Sequence, residues 1–172
     1  MSRGEIFKVP DWGSTFVDSF GHQMSLLGVT LHLGREATAD TIVAEAPDTV
    51  VVATGSRPRW PEIPITDGSP VAEPRAVLAG TVHVAAGAQV VVVAGEHHIQ
   101  ALGTADFLAE RGCRVEVVTP ALYAGAQLET GVLELLYRRL LRRGVVITPL
   151  TAVTSIDGRT VTTEHVLTRE AG

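Results

Sequence analysis

Four consecutive valines, Val90 to Val93, restrict what this chain can fold into more than any other feature. With its neighbours, residues 89–94 read as one continuous β-branched strand, and a chain this rich in Gly, Val and Ala suits an α/β fold with a parallel sheet. A helical period follows at residues 99–110, stopped by Gly112, and a second apolar strand at 114–119. The unit is about thirty residues long, the length of a parallel β-α-β crossover of Rossmann type. A further helix at 130–143 carries Val132, Leu135, Leu136 and Leu140 on one side. Its late arginines, Arg138, Arg139, Arg142 and Arg143, suit the negative end of the helix dipole, and Gly144 stops it. A strand at 145–147 comes next. The chain then reads as a β-hairpin over 152–156 and 160–166, turning at Asp157-Gly158.

The first half is less regular. Residues 1–11 carry no period and read as an extended arm. Trp12, Phe16, Phe20 and Met24 then recur every four residues, with Val17 and Leu27 beside them, one face of a helix ending at Gly28. Gly13 and Gly21 weaken that helix. Residues 29–33 alternate as a short strand, 38–46 form a short helix with Asp40 near its start, and 48–53 form a buried strand stopped by Thr54-Gly55. Pro58, Pro61, Pro64, Pro70 and Pro74 crowd the next stretch, which is expected as an ordered loop or crossing linker. The expected organisation is therefore a first lobe at 1–58, a linker at 59–80 and a second lobe at 81–172.

Composition excludes several classes of function. A formal net charge of −5 argues against nucleic acid or an anionic membrane as partner. No apolar run is long enough to span a bilayer and no signal-peptide pattern opens the chain, so a cytoplasmic protein is expected. A single cysteine, Cys113, excludes an internal disulfide and an all-cysteine zinc or iron–sulfur site. Arg111 and Arg114 flank it and would lower its pKa if they faced it. A small buried hydrophobe is the better reading.

The turn after Val93 is where chemistry would sit. A dinucleotide pyrophosphate needs glycines that let the backbone approach and an open helix N-terminus. If Gly95 is the first glycine of G-x-G-x-x-G, His97 and Gln100 stand at the other two positions, Glu96 adds an anion, and Gly103 follows. The unit has the architecture of a dinucleotide fold with its fingerprint lost, so NAD(P) binding is expected to be weak. His97-His98 is a polar loop rather than a metal site, because adjacent side chains diverge and no third ligand is near. Glu129 and Glu134 are expected to be solvated, and no catalytic residue is assigned.

Together these residues carry a family resemblance. The stretch Asp48-Thr-Val-Val-Val-Ala-Thr-Gly-Ser-Arg-Pro58, followed by Pro61, Ile63-Pro64 and Asp67-Gly68, resembles the ATG strand and crossover of flavin-dependent disulfide-reductase-like domains. The segment from Val90 through Leu102-Gly-Thr-Ala-Asp-Phe-Leu-Ala-Glu-Arg-Gly112 to Pro120 narrows this. It is similar to the C-terminal FAD/NAD(P)-binding region of NADH:flavin oxidoreductases of the Old Yellow Enzyme type. These include the 2,4-dienoyl-CoA reductases and the trimethylamine, dimethylamine and histamine dehydrogenases, the amine branch having a degenerate glycine loop as well. The resemblance runs over residues 9–166. It lacks the FMN-holding TIM barrel, the cysteines of a [4Fe-4S] cluster, the first G-x-G-x-x-G unit and the closing G-D strand.

What the resemblance implies is an α/β, incomplete two-lobed Rossmann-like fold with a parallel sheet and a C-terminal β-hairpin. Ala53, Thr54 and Gly55 would be the flavin-facing turn, with Ser56 and Arg57 near a phosphate. Gly95, Glu96, His97 and Gly103 would be the second nucleotide-binding turn. The implied role is a helper subunit of a split flavoprotein oxidoreductase, active in assembly or electron transfer. It would share an FAD or ADP site with a flavin-containing catalytic subunit. Self-association over its open sheet edges, a self-standing NAD(P)H-dependent reductase and a vestigial protein-interaction module are the alternatives.

Overall fold

The computed structural model describes residues 12–172, with side chains from Phe16 onward. The arm expected over residues 1–11 lies outside the described residues. The described chain forms two compact units, one ending at Arg59 and the other spanning Trp60–Gly172.

The N-terminal unit is built on two helices. The four-residue apolar repeat folds as α1 (Trp12–Leu26), on which Phe16 and Phe20 meet edge to face with ring centroids 4.6 Å apart. Gly28 takes φ +67°, and the Val29 amide reaches back to the Met24 carbonyl at 2.9 Å to close the helix. In α2 (Ala39–Ala44) the start is set by reciprocal capping. Thr41 N–H donates to the Thr38 hydroxyl and Thr38 N–H to the Thr41 hydroxyl, at 3.3 and 2.9 Å.

The two strands expected in this unit do not form. Residues 29–33 and 48–53 are irregular, and Val51 and Val52 are 85% and 78% exposed. The reason is physical rather than compositional. A strand exists only when a neighbour takes up its backbone groups, and no strand forms in this unit among the described residues.

The C-terminal unit follows the crossover pattern. A parallel sheet runs in the order β1 (Gln89–Val93), β2 (Arg114–Val118), β3 (Val146–Thr148). In register, Val117 lies between Val92 and Ile147, and Val118 between Val93 and Thr148. The connections are α4 (Gln100–Glu110) and α5 (Thr130–Arg142). On one face, Val92, Val115 and Val117 pack in a single core with Leu102, Ala105 and Leu108 of α4 and Leu136 and Leu140 of α5. Val118 belongs instead to a second cluster with Val153 and Ile156.

The four-valine run is therefore not buried on both faces. Only Val92 is fully buried, whereas Val91, Val93 and, in β3, Val146 are exposed. One layer of cover suffices for the register row containing Val92, Val117 and Ile147.

The proline-rich stretch packs into this second unit. Ile63, Ile65 and Val71 cover Val153 and Ile156, and Ile65 forms a parallel bridge with Ile156. The Ile156 amide donates to the Pro64 carbonyl at 2.9 Å, and the Thr66 amide donates to the Ile156 carbonyl at 3.0 Å. Pro74 opens a short helix, α3 (Pro74–Leu78), at a position where a proline has no helical hydrogen bond to lose. The hairpin pairs β4 (Thr151–Asp157) with β5 (Thr160–His165). Its two-residue turn is Gly158-Arg159, one residue later than expected, with Gly158 at φ +55°. Glycine at the first central position is the requirement of a type II′ turn.

Candidate functional site

The turn between β1 and α4 is where a dinucleotide-binding crossover would receive a pyrophosphate. Here Ala94 is buried at the strand end, its amide bonded to the Val118 carbonyl at 2.8 Å. Beyond it, Gly95, His97 and His98 are exposed and Glu96 is half-buried. Helix α4 then begins with Ile99 as N-cap, a residue without an oxygen to offer its first amides.

The missing cap comes from Glu96. One of its carboxylate oxygens accepts from the Ala101 amide at 2.9 Å, and the other accepts from the His98 amide. A negative carboxylate thus lies on the positive end of α4, where the amides and the dipole both favour an anion. The turn is also held from outside, since the Gln127 amide donates to the His97 carbonyl at 2.8 Å.

The residues present do not fit a dinucleotide at this turn. A pyrophosphate would need the amides that Glu96 already engages, and His97 and Gln100 replace the glycines that admit it. Glu116, the acidic residue about twenty positions beyond the turn where a ribose partner is sought, lies within β2 and accepts from the Thr148 hydroxyl. Gly103 is buried in the first turn of α4, its amide bonded to the Ile99 carbonyl at 2.8 Å. Gly95, Glu96 and His97 are thus brought together at the turn, while Gly103 lies in the helix.

The other group of candidate residues, Ala53, Thr54, Gly55, Ser56 and Arg57, lies in the N-terminal unit as an exposed, irregular stretch. Gly55 takes φ +80° with open space where a side chain would point. This backbone bend is open to glycine and strained for other residues.

Other polar groups near the turn hold the fold together. Asp106 on α4 is buried and receives two guanidinium groups, from Arg139 of α5 at 2.8 Å and from its C-cap Arg143, while Arg143 also reaches Glu110 at 3.0 Å. Glu129 accepts from the Gly131 and Val132 amides at 3.1 and 3.2 Å and so caps α5, and exposed Glu134 pairs with Arg138 at 2.6 Å. Both glutamates are exposed, as expected, and each also has a partner. The caps at Glu96 and Glu129 escape a reading by residue type, because glutamate is not a favoured N-cap. The available signal was an acidic residue just ahead of each helix.

Cys113 is buried against the Ala85 carbonyl, and burial pushes its thiol pKa up. Neither flanking arginine reverses this. Arg111 stacks its guanidinium over the Phe107 ring, 3.4 Å from the centroid. Burial also raises the Tyr137 phenol, which donates to the Ala124 carbonyl at 3.0 Å.

No family model matches the chain. It is 34% identical over 118 residues to a probable N-methylproline demethylase of Rhizobium meliloti, covering 69% of this chain and 16% of that protein. It is 30% identical over 132 residues to the N,N-dimethylglycine/sarcosine dehydrogenase of Chromohalobacter salexigens, covering 73% and 19%. The structure of histamine dehydrogenase from Rhizobium sp. 4-9 superimposes with a TM-score of 0.81 at 26% identity, over 93% of this chain and 26% of that one. The chain thus spans about a sixth to a quarter of the length of these proteins. Among the described residues, no helix is long and apolar enough to cross a membrane. By sequence and by fold, the chain is homologous to the FAD/NAD(P)-binding type of region found within amine-oxidising oxidoreductases such as the dimethylglycine and histamine dehydrogenases.

Proposed function

We propose that this chain serves a flavoprotein oxidoreductase of the Old Yellow Enzyme and amine dehydrogenase kind as a helper subunit. In this reading it docks beside a flavin-containing catalytic subunit in the cytoplasm and contributes to an FAD or ADP site and to electron transfer. The observation that carries the reading is the state of residues 48–57. Its residues 48–53 have the composition of a buried strand running into a glycine turn, yet among the described residues they form no strand, and Val50, Val51 and Val52 are exposed. Such a segment suits completion by strands from another polypeptide.

Ala53, Thr54 and Gly55 would then face the flavin nucleotide, with Ser56 and Arg57 toward a phosphate. Bound there, the flavin would supply the redox chemistry, while the chain's own residues would position the nucleotide. A self-standing NAD(P)H-dependent reductase is disfavoured by the occupied turn at Glu96. The test is purification of the tagged chain from its native host, with the absorbance spectrum and co-purifying proteins identified. A yellow complex with a larger flavoprotein is the expected result. A colourless lone chain that neither FAD nor ADP stabilises against heat would overturn the proposal.

A further inference from the structure

We infer that Glu96 is a built-in substitute for a phosphate, the residue that closes the β1–α4 turn to NAD(P) and other pyrophosphates. The inference deepens the reading above, resting on it only in treating the chain as part of an oxidoreductase. It assigns the exclusion to one side chain. A Rossmann turn binds pyrophosphate through backbone amides at a helix N-terminus, aided by the positive end of the dipole. In this chain those two resources are committed to a carboxylate two to five residues away in sequence. Its two oxygens take the His98 and Ala101 amides separately, bridging the turn as a bound oxyanion would.

Three further observations point the same way. Ile99 supplies no competing side-chain cap, so the amides depend on Glu96. The Gln127 amide anchors the His97 carbonyl and holds the turn from the far side. Glu116 is held by Thr148 within the sheet rather than at the end of β2, where a ribose would be met. A pyrophosphate entering the turn would have to displace a tethered anion, and it would meet that anion's charge on the way. The tether gives Glu96 the advantage, because its local concentration at the amides is permanent. Reductant binding by this lobe is thereby excluded, and hydride from NAD(P)H does not enter through it.

The experiment compares the wild-type chain with Glu96→Ser and Glu96→Asp, using inorganic pyrophosphate and NADPH as probes in calorimetric titration at low salt. The wild type is expected to bind neither probe. Glu96→Ser should bind pyrophosphate at least about tenfold more tightly than wild type, an effect that fades with added salt. Glu96→Asp, whose carboxylate is one methylene shorter, should fall between them. A second variant keeps the length of the side chain: by NMR, the His98 and Ala101 amide proton resonances should move in Glu96→Gln, where a neutral acceptor replaces a charged one.

Wild-type binding of either probe as tight as that of Glu96→Ser would overturn the inference. So would a folded Glu96→Ser that gains nothing. If Glu96→Ser does not fold, His98 and Ala101 amide resonances that stay unmoved in Glu96→Gln would overturn it alone. A colourless, partnerless chain would sink the helper-subunit reading and leave these outcomes untouched.

Discussion

Gly125 shows how much a single residue can fix. It is buried at φ +77°, and a Cβ built there would lie 2.9 Å from terminal carbons of both Leu102 and Leu128. Gly125→Ala combines left-handed strain with overpacking, so it should cost about 2–3 kcal/mol, read as a lowered denaturation midpoint with unchanged slope. Glu129 is the milder case. Glu129→Ala frees the Gly131 and Val132 amides at the start of α5 and should cost about 1 kcal/mol in the same assay.

Cys113 has a pH signature. Burial raises its pKa in the folded state, so the native protein holds the thiol proton more tightly than the unfolded chain does. Its contribution to stability is complete below the unfolded thiol value of about 8.5 and declines as pH rises past it. The declining branch should vanish in Cys113→Ala. Alkylation at neutral pH should also be slow until denaturant is added.

Between elements, Asp106 with Arg139 and Arg143 ties α4 to the C-terminal end of α5. The aspartate is nearly out of solvent whereas the arginines keep part of theirs, so the cost of breaking the link lies between buried and surface values. Asp106→Ala is expected to destabilise by about 2–3 kcal/mol, and adding Arg139→Leu should recover part of this, a coupling that a double-mutant cycle measures. Element identity was legible wherever a period could be filled locally. The repeat ending at Gly28, the helix ending at Gly112 and the arginine-tailed helix ending at Gly144 all form within a residue or two of their expected limits. The strands at 29–33 and 48–53 were not legible, because Val50 to Val52 announce only a readiness to pair, and pairing needs a neighbour. The candidate site was legible in part. Gly95, Glu96 and His97 could be picked out as a damaged phosphate turn, but only folding brought the Glu96 carboxylate back onto the Ala101 amide.

At the scale of the molecule, the two units differ in how much they bury. No described side chain from Phe16 to Arg59 is fully buried, whereas β1, β2, α4 and α5 share one core. Hydrogen exchange should follow that division. Amides at 39–59 are expected to exchange with protection far below that of Val92, Val117 and Leu108, whose opening should approach the global unfolding free energy. Binding of a partner that completes the N-terminal unit should raise protection at 48–57 first. Equal protection in the two units of the isolated chain would contradict this account.

The sequence by itself determined the α/β class, the parallel crossover, the hairpin and the turn at Gly95, since helical periods, glycine stops and turn residues act over a few positions. Tertiary structure alone decided that the four-valine strand would be covered fully on only one row. It also decided that Ile63, Ile65 and Val71 of the proline-rich stretch would pack on the hairpin, and that Glu96 would occupy the amides a phosphate needs. Those outcomes depend on groups distant in sequence meeting in space: Pro64 with Ile156, Asp106 with Arg143, Gln127 with His97. Local propensity is blind to such meetings, because their energy exists only once the chain has closed on itself.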